Sequence, residues 1–251
     1  MRYAFKVQYI GKNYSGSQLQ PDKPSVQEEL EKALCTLIIG GNAKYNRQVK
    51  AVFSGRTDKG VNSIGQVAHF DVDKPIVASK FIYSLNEILP DDISVSDLKE
   101  VEPRFHAQKS AKRRHYEYVF VNRKCKNAFD GDLLRIKYDI DIERMQKALD
   151  YIKGEHDFSS FKSSGTLNPS KICFIYEAKV ERVGDRVHIN IIGNRFLYNM
   201  VRAIVGTLLE IEGHNLQASH MKDVLDAKDR KKAGRNVSPY GLTLVRVEYS
   251  N

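Results

Sequence analysis

The sequence predicts an α+β fold made of two similar mixed α/β units with antiparallel sheets. A strand, a helix and paired strands can be recognised in each half of the chain. At 251 residues with 41% hydrophobic content, the chain is long enough for two domains of ordinary size. It contains no low-complexity segment and no short tandem repeat. We place an N-terminal α+β domain at residues 1–105 and a C-terminal α+β domain at residues 106–251.

The first half begins with residues 3–9, which alternate between apolar and polar side chains as a half-buried strand does. Ser25 and Glu28 form a capping box at the start of an amphipathic helix that ends at Gly40-Gly41. The remaining predicted elements of this half are strands at 49–53 and 66–72 around a turn-rich loop, a helix at 79–89 stopped by Pro90, and a crossing segment at 91–111.

The second half shows the same kinds of element. In chain order, its predicted elements are a strand at 114–121, a helix at 141–153, strands at 172–183 and 186–192, a helix at 195–212 and a strand at 242–249. Gly184-Asp185 predicts a hairpin turn between the two paired strands. The helix at 195–212 has the strongest apolar periodicity, and Arg202 and Gly206 share the face opposite its apolar stripe.

The charge distribution indicates a nucleic acid partner. The formal net charge is +9, and seven cations crowd into residues 109–126 with Glu117 as the one acid among them. Aromatic residues are interleaved with these cations, as base stacking combined with phosphate neutralisation requires. The predicted RNA-binding residues in this stretch are Lys109, Lys112, Arg113 and Arg114.

Cysteine usage and hydropathy narrow the class of protein further. Cys35, Cys125 and Cys173 are far apart and lack histidines at metal-ligand spacing, so we expect neither disulfides nor a bound metal. No apolar run approaches the ~20 residues of a membrane span, and the first residues alternate like a strand instead of forming an export signal. We therefore expect a cytoplasmic protein.

The most informative motif is the segment at 54–61, SGRTDKGV, which Gln66-Val67 follows. Taken alone, Asp58 before Lys59-Gly60 is ordinary turn chemistry. The whole segment, however, closely resembles the signature of the TruA family of tRNA pseudouridine synthases, in which the Asp of G-R-T-D-x-G-V is the catalytic residue. Further segments resemble that family in the same order, at residues 105–118, 154–161, 196–206 and 239–244.

Two positions depart from the family pattern. Asn62 stands where the family usually has His, and Gln108 stands where it commonly has Arg. Neither is the proposed nucleophile. The departure at Asn62 affects a hydrogen bond that supports the site. The departure at Gln108 affects a phosphate contact, which Lys109 can take over.

The resemblance implies a pseudouridine synthase fold around a central RNA-binding cleft, a homodimer, and tRNA as the partner. It also implies isomerisation of uridine to pseudouridine in the anticodon stem-loop, at neighbouring tRNA positions 38–40, without any cofactor. The catalytic residues that it implies are Asp58 as the nucleophile, Arg56, Arg202 and Tyr116. The substrate-binding residues that it implies are Tyr116, Lys59, Gln66 and Leu244.

The chemistry of this reaction agrees with the resemblance. The N1–C1′ bond must break and a C5–C1′ bond must form, which calls for an ionised carboxylate that attacks or supports an electron-poor carbon. A nearby guanidinium favours the ionised form; the resemblance implies Arg202, with Arg56 as a second cation. Tyr116 either stacks on the target base or takes the C5 proton. Whether Asp58 attacks the base or the sugar stays open.

Two other functions stay open at this level. A non-catalytic RNA-binding α+β protein would explain the charge and the aromatic residues, but it would need an aromatic platform such as the RNP pattern of an RRM, which we do not find. A glycosylase that removes the base by hydrolysis would need an activated water, and the loop that carries Asp58 has no second carboxylate to act as its base.

Overall fold

The computed structural model describes residues 1–40, 49–163 and 170–249. Contacts divide the chain into two compact units, Met1–Lys112 with Leu244–Asn251, and Arg113–Thr243. Each unit combines strands with helices, so the predicted α+β class is confirmed. The predicted domain limits, 1–105 and 106–251, differ from this division because the last strand belongs to the first unit. The division is one of contacts, so the limits of the domains themselves stay a prediction.

Strands and helices are interspersed along the chain. The strands in the described ranges are β1 (Arg2–Tyr9), β2 (Val52–Phe53), β3 (Asn62–Asp71), β4 (Ile93–Val101), β5 (Ala111–Asn122), β6 (Arg135–Ile136), β7 (Gly154–Asp157), β8 (Ile172–Val183), β9 (Arg186–Gly193) and β10 (Leu242–Tyr249). The helices there are α1 (Val26–Ile38), α2 (Ala78–Ile88), α3 (Ile142–Asp150), α4 (Met200–Gly213) and α5 (His220–Ala227). None of these helices is long and apolar enough to cross a membrane.

The sheet of the first unit is centred on β1, which pairs antiparallel with β3 on one side and β4 on the other. β10 pairs with the far side of β3, and β2 adds a short antiparallel pair to β3. The alternation predicted for residues 3–9 is present, because Phe5 and Val7 are buried against the core. That core joins side chains of the strands, such as Phe70, to side chains of both helices, such as Leu34 and Leu85.

The predicted helix start in this unit is confirmed. The Ser25 side chain accepts a hydrogen bond from the Glu28 backbone N at 3.3 Å, which satisfies one of the unpaired donors at the start of α1. Gly40 follows the helix with φ of +79°, the left-handed conformation that ends many helices. Gly41, the other residue of the predicted helix end, lies outside the described residues.

Three predictions for the first unit were wrong in detail. Residues 91–111 were predicted to cross between the halves, but Ile93–Val101 within that range form β4. Asp97, with φ of +56°, interrupts the alternation of β4 and shifts its register against β1. β3 begins at Asn62 instead of residue 66, because Gly65 allows β10 to approach closely: a Cβ there would lie 2.0 Å from the Val245 carbonyl oxygen. The strand predicted at 49–53 is reduced to β2.

In the second unit, β5, β9, β8 and β7 form an antiparallel sheet in that order, and β6 pairs parallel with β5. The predicted hairpin is confirmed, since β8 and β9 are joined by Gly184-Asp185. α3, α4 and α5 pack on one another. Arg144 of α3 and the buried Glu212 of α4 connect two of these helices through an ion pair of 2.7 Å.

Two helices of the second unit differ from the prediction. α5 was not predicted, and α4 begins at Met200 instead of residue 195. Asn199 has φ of +61°, which a continuing right-handed helix cannot contain. Gly206, predicted to share a polar face with Arg202, is buried. The corrected start of α4 places Arg202 in its first turn.

Candidate active site

The loop that carries Asp58 ends in a tight turn. The Val61 backbone N donates to the Asp58 carbonyl oxygen at 3.1 Å, and Gly60 has φ of +80°. That conformation favours glycine at the third position of a turn, which explains the Lys59-Gly60 order after Asp58. Asp58 is half-buried, whereas Arg56 and Lys59 are exposed. Of the three charged residues in this loop, Asp58 is therefore the least exposed to solvent.

Thr57, the residue before Asp58, is clamped by the segment that follows β1. Its backbone N donates to the Ser17 hydroxyl at 2.9 Å, and its carbonyl oxygen accepts from the Ser17 backbone N at 3.1 Å. Its side-chain hydroxyl lies 2.8 Å from the Tyr9 phenol oxygen. Gly16 allows this close approach, because a Cβ there would lie 2.8 Å from the Thr57 carbonyl oxygen. Both the backbone and the side chain of Thr57 are thus held in place.

Gln66 of β3 supports the same loop from the core side. Its side-chain Nε2 donates to the Gly55 carbonyl oxygen at 2.9 Å, and its Oε1 accepts a hydrogen bond from the Ser54 hydroxyl. Nε2 also reaches the Tyr9 phenol oxygen at 3.5 Å. Burial raises the pKa of Tyr9, so its phenol stays protonated and available to this network. Tyr9, Thr57 and Gln66 are all buried, and buried polar groups need such partners.

Leu244 of β10 joins this region through its backbone. The Ser63 hydroxyl donates to the Leu244 carbonyl oxygen at 3.2 Å and accepts from the Gln66 backbone N at 2.8 Å. Two of the four predicted substrate-binding residues, Gln66 and Leu244, are buried. Their role in binding substrate stays a prediction, and what the structure gives Gln66 is a supporting role under the loop.

Arg202 of the second unit is held by hydrogen bonds on two sides. Its Nε donates to the Val237 carbonyl oxygen at 2.8 Å, and its NH1 donates to Asn199 Oδ1 at 2.7 Å. Asn199 is fixed in turn, because its Nδ2 donates to the Ser163 hydroxyl at 3.1 Å. These contacts orient the planar guanidinium before any ligand binds, as recognition of a carboxylate or phosphate by a fork of donors requires.

Tyr116 and Tyr118 lie on the same face of β5 but in different surroundings. Tyr116 is half-buried, and its ring meets Phe196 edge to face with centroids 5.1 Å apart. Tyr118 is fully buried, and its hydroxyl donates to the Ser238 carbonyl oxygen at 3.0 Å. Burial raises the pKa of Tyr118, and the charge of Arg202 opposes this shift. Tyr118 is therefore a structural residue, and Tyr116 is the more accessible ring.

The sequence of this chain matches a protein-family model described as tRNA pseudouridine synthase over residues 6–108 and again over residues 148–250. The chain belongs to this family. The two matches cover most of the chain, one in each half, in agreement with the prediction of two similar units. The loop with Asp58 lies in the first match and Arg202 in the second, whereas Tyr116 lies between them.

Curated relatives support the same assignment. The chain is 42% identical over 248 residues to tRNA pseudouridine synthase A of Thermoanaerobacter sp. (strain X514), with 97% of each chain covered. It is 38% identical over 252 residues to tRNA pseudouridine synthase A of Bacillus subtilis (strain 168), with 100% of each covered. Among solved structures, a chain of a Cbf5-Nop10-Gar1 complex aligns over 97% of this chain and 58% of its own, at 11% identity and a TM-score of 0.39.

The family departures at Asn62 and Gln108 have local structural consequences. Asn62 Oδ1 accepts from the Gly11 backbone N at 2.9 Å, so it helps hold the segment after β1 against the loop. The Gln108 and Lys109 backbone N atoms both donate to the His106 Nδ1, at 3.2 and 3.3 Å. The side chains of Gln108 and Lys109 are exposed. That Lys109 takes over a phosphate contact stays a prediction.

The predicted RNA-binding residues of β5 differ in exposure and in the face of the strand that they occupy. Lys112 and Arg113 are exposed, and the Arg113 guanidinium stacks over the Tyr176 ring at 4.4 Å from its centroid. Arg114 is half-buried, and its NH1 donates to the Asn194 carbonyl oxygen at 2.6 Å. Because neighbours on a strand point to opposite faces, Arg113 and Arg114 lie on different faces of β5. Their contact with RNA stays a prediction.

Sequence reasoning missed the residues that support the site. Tyr9 was predicted only as part of an alternating strand, and Ser17 only as part of a turn-rich loop, yet both bind Thr57. No local pattern marks them, because their partner lies about forty residues or more away along the chain. Among the described residues, no group of three or more His, Cys, Asp or Glu side chains is placed to hold a metal ion.

Proposed function

We propose that this chain isomerises uridine to pseudouridine in the anticodon stem-loop of tRNA, at neighbouring positions 38–40, with Asp58 as the catalytic carboxylate. The observation that carries the proposal is the clamped loop, which holds Thr57 by backbone and side chain and leaves the next residue, Asp58, half-buried at the start of a turn. Such restraint is what a carboxylate needs when it must meet a reacting carbon within a fraction of an ångström.

The reaction conserves all atoms of the substrate. The N1–C1′ bond breaks, the base turns, a C5–C1′ bond forms, C5 loses a proton and N1 gains one. Asp58 acts either by bonding to the sugar or by adding to the base, and both routes need its ionised form. We assign Arg202 as the cation that favours this form, since its guanidinium is already oriented by Val237 and Asn199. Arg56, which is exposed, is assigned as the second cation beside Asp58, and the exposed Lys59 is assigned to binding the substrate.

Tyr116 is proposed to contact the target uridine. Its half-buried ring is oriented by Phe196, which suits stacking on a base that has left the RNA stack. The alternative role, removal of the C5 proton by the phenol, uses the same position. The variant Tyr116→Phe separates the two roles, because it keeps the stacking surface and removes only the proton acceptor.

The experiment that tests the function compares Asp58→Asn with the parent. Purified proteins are incubated with tRNA, and pseudouridines are mapped by position. Asp58→Asn is expected to lower the rate by at least ~10³-fold while tRNA affinity stays within a few-fold, because the amide has the same shape but cannot act as an anionic nucleophile. Asp73→Asn is the matched control, since Asp73 is exposed in the same unit.

The outcomes separate the candidate functions. Turnover retained by Asp58→Asn would remove the central assignment. A parent protein that binds tRNA without forming pseudouridine would support the non-catalytic RNA-binding alternative. Free uracil released from the RNA would identify the hydrolytic reaction of a glycosylase.

The resemblance to the family also leads us to propose a homodimer that acts in the cytoplasm, where a tRNA substrate is available. An exposed apolar surface on β8, formed by Ile172, Phe174 and Tyr176, supports self-association of the second unit. Sedimentation equilibrium of the full chain tests the dimer, and a monomer at micromolar concentration would contradict it.

A further inference from the structure

A second concentration of positive charge follows α5. Residues 228–235, KDRKKAGR, hold five cations and one acid, and we call this segment the basic loop. It lies within the second unit and contains none of the residues assigned to catalysis. It is also separate in sequence from the cations at 109–126.

Two charged residues of the basic loop are used to shape it. Asp229 Oδ1 accepts from the Lys231 backbone N at 2.9 Å and so caps the short helical turn Arg230–Lys232. The Arg230 guanidinium donates to the Ala233 and Gly234 carbonyl oxygens at 3.1 and 3.0 Å. Three of the remaining four cations, Lys231, Lys232 and Arg235, are exposed and form no ion pair with any described residue.

The backbone beneath these cations is docked tightly on α4. A Cβ on Gly206 would lie 1.8 Å from the Arg235 carbonyl oxygen, and a Cβ on Gly234 would lie 2.5 Å from the Gly206 carbonyl carbon. The Gly234 backbone N also donates to the buried Thr207 hydroxyl at 2.9 Å. Only glycine fits at both positions, so the loop cannot move away from the helix without losing this contact.

The same docking connects the basic loop to Arg202. Two residues after Arg235, the Val237 carbonyl oxygen accepts from Arg202 Nε at 2.8 Å, and the Val237 backbone N donates to the Arg202 carbonyl oxygen at 3.4 Å. A ligand that binds the basic loop is therefore held at a fixed distance from Arg202 in the same unit.

Like charges fixed on a rigid backbone repel one another in the free protein, and a polyanion relieves that repulsion. We propose that Lys231, Lys232 and Arg235 bind phosphate groups of the tRNA backbone. The inference rests on the proposed function, because that function supplies the polyanion. The contact is independent of base sequence, and it positions the RNA relative to Arg202 instead of taking part in the chemistry.

The test compares two variants of equal charge. The first is Lys231→Gln, Lys232→Gln and Arg235→Gln together. The control is Lys153→Gln, Lys179→Gln and Lys222→Gln together, because each of these lysines of the same unit is already paired with a carboxylate. Each variant removes three positive charges from the chain. Affinity for tRNA is measured by fluorescence anisotropy from about 50 to 200 mM salt, a range over which phosphate contacts weaken strongly.

The basic-loop variant is expected to flatten the slope of log affinity against log salt by about 2 to 3, since each lost phosphate contact removes about 0.7 to 0.9. The control should leave the slope unchanged, and single-turnover rates at saturating tRNA should stay within a few-fold for both. An unchanged slope in the basic-loop variant, or an equal change in the control, overturns the inference. A parent protein that binds tRNA but makes no pseudouridine would instead count against the proposed function, while the slopes would still decide the role of the loop.

Discussion

Removal of the Tyr9 hydroxyl tests how the clamped loop holds Asp58. Tyr9→Phe deletes the 2.8 Å hydrogen bond to the Thr57 hydroxyl and the 3.5 Å contact from Gln66 Nε2, while the ring remains and no large cavity forms. The buried Thr57 hydroxyl then loses this partner, so we expect the free energy of unfolding to fall by about 1–3 kcal/mol. In a chain of this length, each kcal/mol corresponds to a fall in Tm of roughly 2–4 °C.

The same change should slow the chemical step. Asp58 follows Thr57 directly, and a displacement of a catalytic group by ~1 Å can cost about 10²-fold in rate. We therefore expect the single-turnover rate at saturating tRNA to fall by about 10- to 100-fold, with tRNA affinity within a few-fold of the parent. The readout is pseudouridine formed per time in one turnover, with thermal melts of the same protein preparations.

Two further variants isolate the effect of the loop. Tyr3→Phe is the matched control: Tyr3 is a buried tyrosine of the same strand, and its phenol oxygen accepts from the Ile76 backbone N at 3.1 Å. It should lose similar stability but keep the parent rate. In Tyr9→Phe with Thr57→Val, both hydroxyls are absent, so stability should recover by about 0.5–3 kcal/mol relative to additivity. A parent-like rate in Tyr9→Phe, or an equal loss in Tyr3→Phe, would refute the positioning role.

Two other outcomes are expected. Arg202→Leu should lower the single-turnover rate more than Arg202→Lys, because lysine keeps the charge but not the planar guanidinium held by Val237 and Asn199. The leucine variant should also lower the free energy of unfolding by about 1–3 kcal/mol. A leucine variant as fast as the parent would exclude a catalytic role. Burial, then the charges of Arg2 and His106, lowers the pKa of His69 to about 4. Between pH 4 and the ordinary pKa of 6.5, the unfolded chain binds a proton at His69 that the folded chain does not bind. The contribution of His69 to the free energy of unfolding should therefore be fully present above about pH 6.5. Urea melts should show it falling by about 1.4 kcal/mol per pH unit towards pH 4. His69→Gln should remove that slope, and an unchanged slope would contradict the assignment.

Several features of the fold could be predicted because they depend on neighbours in the chain. The Ser25 cap, the end of α2 before Pro90 and the Gly184-Asp185 hairpin each follow from residues within a few positions of one another. The resemblance of the segment around Asp58 to the family signature could likewise be recognised, because it depends only on the order of residues in the sequence. The tight turn at Gly60 agrees with the local turn chemistry that the sequence shows.

Other features needed contacts that no local pattern encodes. β4 was missed because a single residue with positive φ, Asp97, interrupts its alternation, and α4 was extended too far because Asn199 has the same kind of backbone. Glycines are ambiguous in a sequence: Gly206 fits a polar helix face, yet it is where the basic loop docks. The basic loop itself, five cations in eight residues, is visible in the sequence, but only its docking on α4 distinguishes it from an ordinary solvated run of charge.

The sequence by itself determined the fold class, the family and the identity of Asp58 as the candidate nucleophile, because these depend on composition, period and motif order. Only the tertiary structure decided what holds the site in place. Thr57 is bound by Tyr9, 48 positions earlier, and by Ser17, 40 positions earlier, while Arg202 is oriented by Val237, 35 positions later. A hydrogen bond between residues so far apart exists only after the strands and helices have packed, because no local preference of the chain brings them together.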